Sequence, residues 1–277
     1  MILALIKLTR PYYSLPLSCG LVVISVYITG GDFDVLGTKL WFACASLYLV
    51  LSAAYTLNDV CDIRVDAINS PERALPKGII TPKTAAIQSI ALFAIGIILA
   101  VFCGRRFFAG LVLVAVGLII YDRYSKKMGV LKNIMAAVLT VSLYPLSFAL
   151  ADPVSTPRLN ALTIFPVWLF LTAVGYEMLK DTLDVQGDSI RKRNQSFCES
   201  PNFLMTARVI IMAAALLSML PYVLGYCKLI YLASSIVTIA LAVWSLKLSA
   251  AKAIPLVYAG VVLITVGSLA DLLVFGP

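Results

Sequence analysis

Asn58-Asp59-Val60-Cys61-Asp62-Ile63-Arg64-Val65-Asp66 and its echo, Lys180-Asp181-Thr182-Leu183-Asp184-Val185-Gln186-Gly187-Asp188, decide the reading of this chain. Both follow the pattern x-D-x-x-D-x-x-x-D, and each lies where a long apolar run ends. If the helix continues, at about 100° per residue, Asp59, Asp62 and Asp66 point near 0°, 300° and 340°. That is one narrow face with Asn58 at its edge, and Asp181, Asp184 and Asp188 repeat it. Six of the 14 acidic residues thus fall into two short clusters. Carboxylates this close repel one another unless a cation neutralises them. Hard oxygen ligands in such number suit Mg²⁺, which keeps waters and takes phosphate as a co-ligand.

Around these clusters the chain is greasy. It is 61% hydrophobic and 13% charged, with a mean hydropathy of +0.97. Soluble domains carry about 25% charged residues, so the composition is that of an all-α integral membrane protein. The net charge of +8 reflects basic residues clustered in alternate loops, the positive-inside pattern, rather than a nucleic-acid partner. Lys7 and Arg10 before the first apolar run resemble a signal peptide, but a retained first span is the expectation. The six cysteines are scattered without a C-x-x-C, which argues against a disulfide framework or zinc site. There is no histidine, so a histidine base, a Ser-His-Asp triad and histidine-ligated haem are excluded. The glycine-rich nucleotide loops and HExxH are absent as well.

Nine spans are expected, at about 12–30, 38–57, 83–103, 106–122, 131–150, 161–180, 205–224, 229–247 and 254–274. The two long loops follow the two acidic clusters. With the N-terminus on the cytoplasmic side, all of the 22 Lys and Arg except Lys39, Arg105, Arg106, Arg158 and Lys228 fall on that side. This bias predicts N-in and C-out in a cell inner membrane or its equivalent, with both acidic clusters at cytoplasmic helix ends. Four spans separate the clusters. Residues 1–277 then form one domain of two related four-helix units, about 1–125 and 126–250, plus a ninth helix, around a central cavity.

One such cluster alone reads equally well as a solvated helix end. Two with identical spacing on matching helices favour function, because carboxylates near the membrane interior are costly. Arg10, Arg73, Lys77, Lys126, Lys127 and Lys180 lie on the same side as the aspartates. Singly, each is as easily explained by topology. As a set they suit a metal-bound diphosphate, with metal between carboxylate and phosphate oxygens and Lys or Arg on the rest. Tyr55, Tyr144, Phe148, Phe165, Trp168, Phe170 and Tyr176 read mainly as packing or interfacial aromatics, a few of which could face an apolar tail or a cation. A cation transporter would place its carboxylates at mid-helix. A CDP-alcohol phosphotransferase would need a D-G-x-x-A-R element that the chain lacks.

These residues resemble the UbiA superfamily of intramembrane prenyltransferases. Its NDxxDxxxD motif is matched by Asn58, Asp59, Asp62 and Asp66. Its loop N-x-P-x-R-P-L-P-x-G is similar to residues 69–78, with Ala74 in place of a proline. Its YxxxK and following DxxxD are matched by Tyr176, Lys180, Asp184 and Asp188. Arg10-Pro11 and Tyr124-Ser125-x-Lys127 resemble two further family segments, and nine helices fit. The resemblance implies Mg²⁺, two ions, bridging the motifs and an isoprenyl diphosphate. It implies Asn58, Asp62, Asp184 and Asp188 as ligands, with Asp59, Asp66 and Asp181 assisting. It further implies that Arg73, Lys77, Lys127 and Arg10 grip the diphosphate and that Tyr124, Tyr176 and Lys180 act on the substrate. The prenyl group would pass to a hydrophobic or amphipathic acceptor, aromatic, quinone precursor or lipid, within the bilayer.

Overall fold

The computed structural model describes residues 1–125, 128–183 and 200–277. Its elements in chain order are α1 (Ile2–Leu8), α2 (Pro11–Ile28), α3 (Gly37–Asn69), α4 (Pro82–Val101), α5 (Arg105–Tyr124), α6 (Leu131–Val141) and α7 (Leu143–Phe148). A 3₁₀ turn (Pro157–Thr163) leads into α8 (Phe165–Leu183). Then come α9 (Pro201–Leu217), α10 (Leu220–Val223), α11 (Leu229–Ser245) and α12 (Ala250–Phe275). Among the described residues eight helical segments are long and apolar enough to cross a bilayer, and this is an integral membrane protein. The remaining expected span, 229–247, corresponds to α11, an apolar helix of 17 residues. The short α1 was not expected.

Each element follows local chemistry. From Gly37 to Ser70 α3 meets no proline, so it runs well past the expected end at 57 and carries the whole first acidic motif. Ser70 then leaves helical geometry and Pro71 blocks continuation. The expected span 131–150 breaks at Ser142 into α6 and α7, because Pro145 cannot donate to the carbonyl of Val141. Pro16 within α2 likewise leaves the Tyr12 carbonyl without its helical donor, and the Tyr258 hydroxyl from α12 donates to it at 2.5 Å.

Helix packing relies on small residues, as expected where lipid is as apolar as leucine. A Cβ on Gly96 of α4 would meet the Ser46 carbonyl of α3 at 3.0 Å, and Ser46 Oγ donates to the Gly96 carbonyl at 2.6 Å. A Cβ on Gly175 of α8 would meet Ile211 of α9 at 2.5 Å. Leu21, Tyr27, Leu47, Phe107, Leu111 and Tyr231 anchor the main core.

The end of the bundle away from the acidic motifs is locked by Arg158 and Asp271, 3% and 0% exposed in their side chains. Arg158 donates to Asp271 Oδ2 at 2.6 Å and to the Gly276 carbonyl at 2.5 Å. The same carboxylate accepts from the backbone N–H groups of Lys228, Ile230 and Tyr231, capping the start of α11.

Candidate active site

At the other end, one face of α3 presents Asn58, Asp62, Val65, Asp66 and Asn69 to a polar chamber of about 130 Å³. These positions recur every three to four residues, as one helical face requires. Facing them from α8 are Glu177, Lys180 and Asp181, and Arg10, Arg73, Tyr121, Ser125 and Lys132 complete the wall. The first motif and the described part of the second therefore border the same space.

Among the described residues, every cation of this chamber is held by a carboxylate. Arg10 pairs with Asp59. Arg73 reaches Asp66 at 2.7 Å and Asp59 at 3.4 Å. Lys132 pairs with Asp181. Lys180 donates to both oxygens of Glu177, at 3.0 and 3.1 Å. Arg10 also lies 5.4 Å from the centre of the Tyr55 ring. Burial alone would lower the pKa of Arg10, but the adjacent Asp59 outweighs it and raises the pKa above the usual arginine value.

Deeper in the bundle lies a second chamber of about 180 Å³, bordered by Leu17, Leu47, Leu51, Val114, Leu118 and Leu139 among others. Arg10, Asn58, Tyr121, Glu177 and Lys180 line both chambers and form the boundary between them. Tyr13 and Tyr176 stand on the apolar side, and the Tyr176 hydroxyl donates to that of Tyr13 at 2.9 Å. Asp122 is there too, accepting from Asn58 Nδ2 at 3.2 Å.

Of the residues singled out from the sequence, Asn58, Asp62, Asp66, Asp181, Arg10, Arg73 and Lys180 are brought to the polar chamber and Tyr176 to the apolar one. Asp59 is 5% exposed and lines neither; it stands behind the wall, gripped by Arg10 and Arg73. Lys77 and Tyr124 are exposed and line neither chamber. Tyr121, one turn before Tyr124, occupies the boundary instead. Lys126, Lys127, Asp184 and Asp188 lie outside the described residues. Sequence reasoning did not single out Glu177, Lys132, Asp122, Tyr121 or Tyr13. The available signals were Asp122, an acid closing an apolar run, and Glu177, three residues before Lys180 on the same helix face.

Among the described residues no three acidic or sulfur side chains converge on one point. The oxygens that do border the polar chamber, from Asn58, Asp62, Asp66, Glu177 and Asp181, are hard donors of the kind Mg²⁺ takes. The donor set therefore fits Mg²⁺ and does not fit a soft metal.

The profile of the UbiA prenyltransferase family matches residues 17–264. The chain belongs to this family. The membrane-embedded helical fold and the enzyme class read from the paired acidic motifs are those of UbiA proteins, and the transporter and phosphotransferase alternatives fall away. A digeranylgeranylglyceryl phosphate synthase from Sulfolobus acidocaldarius is 34% identical over 187 residues, which cover 66% of this chain and 66% of that protein. Among solved structures, a UbiA homolog from Aeropyrum pernix K1 superposes with a TM-score of 0.75 at 14% identity, covering 96% of this chain and 98% of that one. A UbiA homolog from Archaeoglobus fulgidus bound to GPP and Mg²⁺ gives a TM-score of 0.60 at 16% identity, covering 98% and 100%.

Proposed function

We propose that this UbiA protein transfers a prenyl group from its diphosphate to a glyceryl lipid phosphate in the bilayer, releasing diphosphate, with Mg²⁺ as cofactor. The observation that carries this reading is the pair of joined chambers. A polar one is ringed by carboxylates and cations, an apolar one lies behind it, and Arg10, Asn58, Tyr121, Glu177 and Lys180 form their common boundary. The name of the Sulfolobus acidocaldarius relative supports a glyceryl lipid acceptor, and the ligands of the Archaeoglobus fulgidus homolog support the donor and the metal.

In this reading Asn58, Asp62, Asp184 and Asp188 hold the metal, with Asp66 and Asp181 beside them. When bound, Mg²⁺ neutralises charge on the diphosphate as it leaves. Arg10, Arg73 and Lys180, with Lys127, bind the remaining phosphate oxygens and stabilise the negative charge that grows as the allylic C–O bond breaks. The tail extends past Tyr13 and Tyr121 into the apolar chamber, whose leucine and valine walls exclude water from the cationic carbon. The acceptor hydroxyl oxygen then forms the new C–O bond to that carbon, and its proton passes to the departing diphosphate. Lys77 and Tyr124, exposed and away from both chambers, are not assigned a role.

The topology belongs to the same proposal: N-terminus and polar chamber on the cytoplasmic side, C-terminus opposite, supported by the distribution of Lys and Arg. So does the division into related units at about 1–125 and 126–250, supported by the matching of α3 and α8 across the chamber. Incubating the purified protein with geranylgeranyl diphosphate, Mg²⁺ and a panel of acceptors tests the reading. Prenylation of geranylgeranylglyceryl phosphate is the expected result; transfer only to an aromatic acid or quinone precursor would overturn the acceptor.

A further inference from the structure

Asp122 belongs to neither acidic motif, yet it is an acidic side chain near the end of membrane-spanning α5 and is only 6% exposed. Such a placement is costly and calls for a function. Its Oδ1 accepts a hydrogen bond from Asn58 Nδ2 at 3.2 Å, and its Oδ2 is buried without a hydrogen-bond partner among the described residues. The bond engages the nitrogen of the Asn58 amide and not its oxygen. Asn58 borders both chambers, whereas Asp122 borders only the apolar one. The amide nitrogen is therefore held on the apolar side, and the carbonyl oxygen is left for the polar chamber.

We infer that Asp122 is a positioning residue that fixes the Asn58 amide with its oxygen turned toward the metal. This rests on the metal reading of Asn58 given above. An amide free to rotate would present nitrogen, which no cation accepts, as readily as oxygen. A hydrogen-bonded partner behind a metal ligand fixes that choice, and its removal costs about 10–100-fold in metal affinity.

The test is Mn²⁺ titration of purified protein, with free Mn²⁺ followed by electron paramagnetic resonance, in wild type, Asp122→Leu, Asp122→Asn and Asp62→Ala. Asp122→Leu keeps the branched shape but removes the acceptor, and a loss of at least tenfold in Mn²⁺ affinity is expected. Asp122→Asn keeps an oxygen that accepts from Asn58, so affinity within about threefold of wild type is expected. If Asp122→Leu does not fold, Asp122→Ser, whose hydroxyl is too short to reach Asn58, replaces it with the same expected loss. Unchanged affinity in Asp122→Leu or Asp122→Ser, with binding lost in Asp62→Ala, would overturn the positioning role and leave the metal reading standing. Equal Mn²⁺ binding in wild type and Asp62→Ala would overturn the metal reading, and this inference with it.

Discussion

Arg10 and Asp59 form a largely buried ion pair that joins the start of α2 to α3, with side chains 14% and 7% exposed. Arg10 is also the one non-glycine residue among those described with a positive φ, at 44°. Left-handed backbone at an arginine is strained, and strain of this kind collects at functional sites. The turn delivers the guanidinium to the boundary between the two chambers, where Asp59 fixes it.

Asp59 therefore differs from its motif neighbours. Asp59→Ala leaves two guanidinium groups without their shared partner, and breaking a buried pair costs about 3–5 kcal/mol. The variant should lose thermal stability in detergent and bind the prenyl diphosphate more weakly. Asp62→Ala should fold as stably as wild type and fail to turn over. Thermal unfolding and donor KM measured side by side separate the two.

Lys132 lines the polar chamber although no motif includes it. A charge-assisted hydrogen bond contributes about 1.5–3 kcal/mol, so Lys132→Met should raise the donor KM roughly tenfold. Steady-state kinetics at saturating acceptor give the value, and an unchanged KM would confine Lys132 to tethering Asp181.

Tyr121 and Tyr124 lie one turn apart on α5 and face different surroundings. Tyr121 borders both chambers; Tyr124 is 50% exposed. Tyr121→Ala should lower kcat/KM by at least about tenfold, the scale of one lost contact worth about 1.4 kcal/mol. Tyr124→Phe should stay within about twofold of wild type.

This last pair marks where the sequence stops being informative. Hydropathy located the apolar runs, and the x-D-x-x-D-x-x-x-D spacing put Asp62 and Asp66 on one face, because both signals are local and periodic. Which tyrosine of a helix end turns inward depends on neighbours far along the chain. The same holds for Asp59, whose partner Arg10 is 49 residues away, and for Lys132, equally far from Asp181. Asp122 joins the site through Asn58, 64 residues distant, and no spacing rule links them. The break at Ser142 was readable from Pro145, and the continuation of α3 through the first motif is the condition under which its aspartates share a face.

Arg158 and Asp271 provide the control for stability without function. Their pair lies at the opposite end of the bundle from both chambers and is fully enclosed. Arg158→Ala should cost about 3–5 kcal/mol, visible as a lower unfolding temperature. The surviving folded fraction should keep a wild-type donor KM.

The central claim is that the two acidic motifs act together on one metal-bound diphosphate. Diphosphate release from labelled geranylgeranyl diphosphate, followed with and without Mg²⁺ in wild type, Asp62→Ala and Asp184→Ala, tests it most directly. Release should require Mg²⁺ in the wild type and vanish in each folded variant alone. Wild-type release by either variant, or release that persists when a chelator has removed the metal, would contradict the account.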